Sequence, residues 1–154
     1  IISACGIETA ILPSAVLSTH TYGFKDFTFR DLTEDIPAIV DHWERESIKF
    51  DAIYTGYLGS LRQIDLVKDI FCRVSTPDCL KIVDPAMADH GVMYTGFDDA
   101  FAKHMATLCA VADIVLPNIT EAAKMLDIPF MAEGYDRAYI ENIIDGLANY
   151  STDE

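Results

Sequence analysis

Short apolar runs alternate along this chain with longer segments whose apolar residues recur at helical spacing, and few folds admit that alternation. The short runs are residues 9–17, 51–56, 80–84 and 113–117. Between and after them, Ile36, Ile39, Val40 and Trp43 share one helical face, as do Ile64, Val67, Ile70, Phe71 and Val74. Phe97, Phe101, Met105, Leu108 and Ala112 form a third stripe, and Ile140, Ile143, Ile144 and Leu147 a fourth. Residues three and four apart lie on one side of a helix, so every stripe is expected to face a core. Strands separated by such helices predict βαβ units and a mostly parallel sheet, an α/β fold. Phe27-Thr28-Phe29 alternates and fits a short lid strand between the first run and its helix. No repeat, low-complexity tract or linker interrupts the pattern, so residues 1–154 are expected to form a single domain.

With 51% of its residues hydrophobic, the chain can bury a core, which excludes disordered and collagen-like readings. Its formal net charge is −14, from 25 acidic and 11 basic residues. Such a surface repels phosphate backbones and anionic lipid, so neither nucleic acid nor membrane is an expected partner. It suits a protein that handles a divalent cation, although solvated carboxylates on helix faces produce the same excess. Cys5, Cys72, Cys79 and Cys109 include no C-x-x-C pair, and each lies in or beside an apolar run. They read as reduced core thiols of a cytoplasmic protein. Residues 1–20 do not read as a charged-then-apolar leader, and no apolar run approaches the ~20 residues of a membrane span. Both ends read as cut: residues 1–6 resemble the last turn of a helix closed by Gly6, and the final residues leave a helix where another strand is expected.

In a doubly wound sheet, ligands bind beyond the carboxyl ends of the strands. The segments following the four runs are residues 18–24, 56–60, 84–91 and 117–121, all polar and mostly punctuated by Gly or Pro. Asp84 and Asp89 are two nearby carboxylates that suit a Mg²⁺ bridging to nucleotide phosphates. A turn cap at Asp84 with a solvated Asp89 accounts for them equally. Asn118 and Glu121 have the spacing of a capping box, which alone explains both, yet the first turn of that helix points at the same sheet edge. Ser60 and Gln63 form another such pair, for which capping is the preferred reading. Gly56 and Gly59 permit close backbone approach, either for a turn or for a ligand. Tyr57 between them could wall an aromatic ligand or simply pack. His20 and Thr21 lie in a loop, where a lone His is more often a surface residue than a catalyst. His90, beside Asp89, stays ambiguous, and His42 and His104 fall within helices.

Four segments in order carry a resemblance. Residues 12–21 (LPSAVLSTHT), 56–60 (GYLGS), 84–89 (DPAMAD) and 117–122 (PNITEA) resemble the pyridoxal (vitamin B6) kinases of the ribokinase-like superfamily, especially the bacterial pyridoxamine kinase type. The likeness covers nearly the whole chain and thins after Leu126. The Asp-Pro and Pro-Asn-x-x-Glu pieces are shared with hydroxymethylpyrimidine kinases, whereas Leu-Ser-Thr-His-Thr and Gly-Tyr-Leu-Gly-Ser look specific to B6 kinases. Tyr22, where Gly is common, and Ala86, where a larger apolar residue is common, depart from the pattern.

The resemblance implies a three-layer α/β/α fold and ATP-dependent phosphorylation of the 5′-hydroxymethyl group of pyridoxal, pyridoxine or pyridoxamine. It places His20, Thr21 and Tyr57 at the vitamer, and Asp84, Asp89, Asn118 and Glu121 around Mg²⁺ and the ATP phosphates, with Asp89 and Glu121 as metal positions. A monovalent cation is a further candidate, and the family's usual assembly is a homodimer. It also implies that a first strand with a serine-bearing loop precedes Ile1. A Gly-Thr-Gly-Asp segment, bearing the general base, and most of the adenine pocket are expected beyond Glu154. On that reading the chain as given is inactive. The rival readings are a hydroxymethylpyrimidine kinase and a non-catalytic binding or scaffolding remnant of a kinase.

Overall fold

A computed structural model describes residues 1–20 and 24–151. Thr21 and Tyr22 therefore lie outside the described residues.

Three strands form the parallel sheet: β3 (Phe50–Thr55), β4 (Ser75–Val83) and β7 (Ile114–Val115), in the order β3-β4-β7. Thr55 pairs with Val83 and Val83 with Val115, so all three strands end level with one another. That alignment decides where the site falls, because the segments after the strands leave from one edge.

Helices α1 (Ile36–Arg45), α2 (Leu61–Arg73), α3 (Asp99–Cys109), α4 (Ile119–Leu126) and α5 (Arg137–Ala148) follow the apolar stripes. Asp98 caps α3 by accepting the N–H of Phe101 at 2.9 Å, and Asp136 caps α5 by accepting that of Tyr139 at 2.9 Å. Pro37 opens α1, where its missing N–H costs no helical bond. Ile64, Phe71, Val83, Met105 and Leu108 form the main core with Met87 and Met125, while Ile36, Val40, Ile70 and Val74 join α1 to α2. The expected turn at the start is a short 3-10 helix, Ser3–Cys5, which Gly6 closes at φ 83°.

Three expectations need correction, and a fourth, given second, is met in part. The first apolar run does not join the parallel sheet. Only Ala15–Leu17 is a strand (β1), and it pairs antiparallel with β2 (Phe29–Asp31), the strand that the 27–29 alternation signals. Pairing with a segment about a dozen residues away closes a shorter loop than joining the distant sheet edge. The hairpin is clasped by Ser18, whose N–H donates to Thr28 O while its Oγ accepts the Thr28 N–H. Second, the expected α/β/α arrangement is present as a partial one: among the described residues Tyr54, Leu80 and Ile114 leave the outer sheet face exposed. Third, Ile144 is 58% exposed and not core, because α5 borders an open apolar cleft of about 500 Å³ shared with Val115, Ile119 and Leu147. Fourth, Cys79 and Cys109 are buried but Cys5 and Cys72 are exposed, since the 3-10 turn lies at the surface and Cys72 faces away from the Ile64–Phe71 stripe.

The turn that follows Asp89, which Gly91 was expected to help close, belongs to a small hairpin. β5 (Ala88–Asp89) and β6 (Val92–Met93) pair antiparallel around His90 and Gly91, with φ of 49° and 80°. Two successive residues at positive φ form the two-residue turn that matches strand twist. Asp89 therefore sits at a hairpin tip.

Candidate functional site

The Gly56–Ser60 loop leaves β3, residues 84–91 leave β4, and residues 116–118 lead from β7 into α4. Asp84, the first residue past β4, is fixed from β3: its N–H donates to Thr55 Oγ1 at 3.2 Å, and the Tyr54 hydroxyl donates to its Oδ2 at 2.9 Å.

Asn118 and Glu121 do form a capping box. Asn118 Oδ1 accepts the Glu121 N–H at 3.0 Å, and Glu121 Oε2 accepts the Asn118 N–H at 2.9 Å. Both side chains have a second partner on the neighbouring loop. Met87 N–H donates to Glu121 Oε1 at 3.1 Å, and Asn118 Nδ2 donates to Ala88 O at 2.8 Å. Thr120 Oγ1 adds a third tie by accepting the Gly91 N–H at 3.0 Å. The cap thus staples the 84–91 loop to the start of α4.

Electrostatics place the three carboxylates together. Burial pushes the Glu121 carboxyl up; the N–H groups of Asn118, Met87 and Ala88 partly hold it down, and the charge of Asp84 adds to the upward push. Burial raises the Tyr94 phenol as well, and Glu121, Asp89 and Asp84 all raise it further, so it stands within the field of all three. They are not gathered as a ligand set. Among the described residues no group of three or more His, Cys, Asp or Glu side chains is close enough to hold a metal ion. Glu121 is only 3% exposed and turns both oxygens to backbone N–H groups. Asp89, exposed at its hairpin tip, accepts the His90 N–H at 2.8 Å, and the His90 ring lies 3.5 Å from its other oxygen. A cation bound through waters and phosphates needs only one or two protein carboxylates. Of the expected metal pair, Asp89 keeps solvent-exposed oxygens, whereas both oxygens of Glu121 are taken by backbone N–H groups.

Tyr57 is part-buried, its ring tilted against Phe97 at 5.8 Å, with Phe97 stacked on Phe101 at 4.0 Å. Burial, then the charge of Asp31, raises its phenol above the usual range. His20 is exposed and lies edge-on to Phe24 at 4.9 Å; Thr21 is outside the described residues.

Ser60 caps α2 by accepting the Gln63 N–H at 3.2 Å, but the pair is not a capping box. The Gln63 carboxamide accepts instead from Gly59 N–H, at 2.7 Å, and its Nε2 reaches the chain around the β1–β2 hairpin. Sequence reasoning missed Gln63, Tyr54 and Tyr94 as members of this edge. A buried glutamine at N3 carries no local signal, since its hairpin partners are some 30 or more residues away.

No family model matches the chain. Among curated proteins, the pyridoxal kinase PdxY of Actinobacillus pleuropneumoniae is 28% identical over 127 residues, covering 78% of this chain and 43% of that protein. Among solved structures, a Bacteroides thetaiotaomicron protein provisionally named a phosphomethylpyrimidine kinase, in a crystal form with pyridoxal, is 42% identical. Its TM-score is 0.85 over 95% of this chain and 52% of its own. The pyridoxal kinase of Lactobacillus plantarum is 32% identical, with TM-score 0.85 over 97% of this chain and 51% of its own. A Leishmania donovani pyridoxal kinase in complex with ADP and pyridoxine, 18% identical, has TM-score 0.85 over 98% of this chain and 52% of its own, a likeness of fold.

Level strand ends, the loops they launch and these superpositions define a partial ribokinase-like α/β fold. Within it, the chain is related to the pyridoxal kinases. It spans about half the length of the relatives it matches. Among the described residues no helix is long and apolar enough to cross a membrane.

Proposed function

We propose that the protein containing these residues phosphorylates the 5′-hydroxymethyl group of pyridoxal, pyridoxine or pyridoxamine with Mg-ATP. One observation carries the reading. An aromatic wall at Tyr57 and the carboxylates at Asp84 and Asp89 follow adjacent, level strands, so a ring on one would lie beside phosphates on the other. The 42% identity to a protein crystallised with pyridoxal supports the ring's chemistry.

Bound Mg²⁺ would neutralise charge on the transferring phosphoryl group, in a reaction that needs mostly positioning. On this reading Asp84, held by Tyr54 and Thr55, and Asp89 present the oxygens that solvent can reach. Glu121 and Asn118 hold the 84–91 loop in register, and the Glu121 carboxylate, when ionised, adds negative potential beneath it. Tyr57, with His20 and Thr21 from the hairpin side, receives the vitamer. The assembly we assign is a cytoplasmic homodimer, with a monovalent cation as an optional activator.

ADP release by the full-length protein would be followed with each vitamer and with hydroxymethylpyrimidine. Turnover of the vitamers at ten times or more the pyrimidine's kcat/KM is the expected result. The reverse preference would establish the second reading, hydroxymethylpyrimidine kinase, which the provisional name of the Bacteroides relative favours. Binding of the vitamers without turnover would mark a non-catalytic relative.

A further inference from the structure

Gln63 is a primary amide at 1% exposure in the first turn of α2. A buried carboxamide costs stability unless its donors and acceptor are all used. Here they are. Oε1 accepts the Gly59 N–H at 2.7 Å. Nε2 donates to Thr33 Oγ1 at 2.8 Å and to Ser14 O at 3.0 Å, with Asp31 Oδ1 as a longer third acceptor at 3.3 Å. The partners come from three separate segments: the residue before β1, the turn after β2, and the loop after β3.

The β1–β2 hairpin shares no ladder with the β3-β4-β7 sheet. Its registry with the sheet edge rests on side chains: the Gln63 bonds, the exposed Arg62–Glu34 ion pair, and Ser14 Oγ, which donates to Tyr57 O at 2.8 Å. Tyr57 is consequently held at two points. Its carbonyl is bonded to Ser14, whose own carbonyl is bonded to Gln63. Two residues on, the Gly59 N–H is bonded to Gln63 directly. The Tyr57 ring also folds over Gly59, where an added Cβ would sit 3.4 Å from its Cε1 and 3.5 Å from its hydroxyl oxygen. The backbone that Gln63 holds is therefore the backbone against which the ring lies.

We infer that Gln63 is a positioning residue: it touches no substrate, but sets the Tyr57 ring against the hairpin that carries His20, and so sets vitamer affinity. This rests on the assignment of Tyr57 to the vitamer pocket. Asp31 belongs to the same unit. Its bonds from the Thr33 hydroxyl, then the Thr33 N–H, hold its carboxyl below the usual range, with Gln63 and Arg62 contributing less.

The test uses the full-length protein and crosses Gln63→Met with Tyr57→Ala, measuring kcat, both KM values and Tm. Losing the carboxamide should raise the pyridoxal KM about tenfold, the scale of one or two lost hydrogen bonds, with the ATP KM within about twofold of the parent. In the Tyr57→Ala background the same change should add less than about twofold, because residues acting as one unit are non-additive. Should Gln63→Met not fold, Thr33→Val carries the same cycle. It keeps the side-chain shape but removes the hydroxyl that accepts from Gln63 Nε2, and a rise of about threefold in the pyridoxal KM is expected, on the scale of one lost hydrogen bond. An unchanged pyridoxal KM, an equal rise in both KM values alongside a lowered Tm, or full additivity with Tyr57→Ala would each overturn the inference. If Tyr57→Ala itself leaves the pyridoxal KM unchanged, the vitamer-pocket assignment fails and takes this inference with it. A Tyr57→Ala effect without a Gln63→Met effect removes this inference alone.

Discussion

Glu121 accepts the N–H of Met87 at 3.1 Å through Oε1, while its Oε2 caps its own helix. One carboxylate thereby joins the start of α4 to the loop leaving β4, and the helix cap and the candidate site become one structure. Capping its helix and bordering the candidate site, alternatives in the sequence, coexist in the fold.

That relationship makes Glu121 a stability residue with a pH signature. Glu121→Gln retains one acceptor oxygen and points an N–H₂ at a backbone N–H, so a loss of about 1–3 kcal/mol is expected by urea unfolding at pH 7. Because burial raises the folded-state pKa, Glu121's contribution is fully present below the unfolded value of about 4.3 and declines as pH rises through the folded one. Gln does not titrate. The stability of the parent relative to Glu121→Gln should therefore increase as pH falls from neutral toward the unfolded value. Asp31, whose pKa is lowered, acts the other way, with stability lost only as pH falls through its folded value, below that window. A flat difference curve would mean that Glu121 is held charged throughout.

Asp89→Asn in the full-length protein should raise the KM for Mg-ATP about tenfold or more and leave pyridoxal binding near the parent value, since a hydrogen bond to a charged group is worth ~1.5–3 kcal/mol. Tyr57→Ala should do the reverse. Steady-state kinetics with each substrate varied separates them, and equal loss on both axes would make Asp89 structural.

Tyr54 lies on the exposed sheet face and has no role in the core, yet its hydroxyl orients Asp84 at 2.9 Å. Tyr54→Phe removes that one bond. The Mg-ATP KM should rise about three- to tenfold while Tm changes by no more than about 2 °C, consistent with a net hydrogen bond of ~0.5–1.5 kcal/mol at an exposed site. Unchanged kinetics would show that Asp84 needs no orienting partner.

A polypeptide of residues 1–154 alone should show no turnover with pyridoxal and Mg-ATP. None of its described loops pairs a carboxylate base with a run of Gly N–H groups at a transferring phosphate. General-base catalysis contributes ~10²–10⁴-fold, and a single anion-hole donor ~10²–10³-fold. ADP release near the full-length rate would place the base within these residues, with His20 and Asp89 the first to replace.

The periodicities of the chain determined which segments are helices and strands, because burial repeats every 3.6 residues on a helix and every 2 on a strand. The stripe from Ile64 to Val74 is buried along its length, and Asn118 caps α4 through a pattern four residues long. Gly6 closes its turn for an equally local reason, a positive φ that costs glycine nothing. Other features depended on partners far away in the chain. Ala15–Leu17 reads as a sheet strand, but the nearby Phe29–Asp31 edge satisfied its backbone first. Ile144 reads as core, but packing left its side of α5 over an open cleft. Gln63 reads as a cap, and Glu121 as a cap or a metal ligand. Only the folded chain brings Ser14 and Thr33 to one and Met87 to the other, 49, 30 and 34 residues distant. A local pattern records what a residue does to its own helix or strand; a buried polar group is defined by whichever distant groups satisfy it, and those are set by tertiary packing.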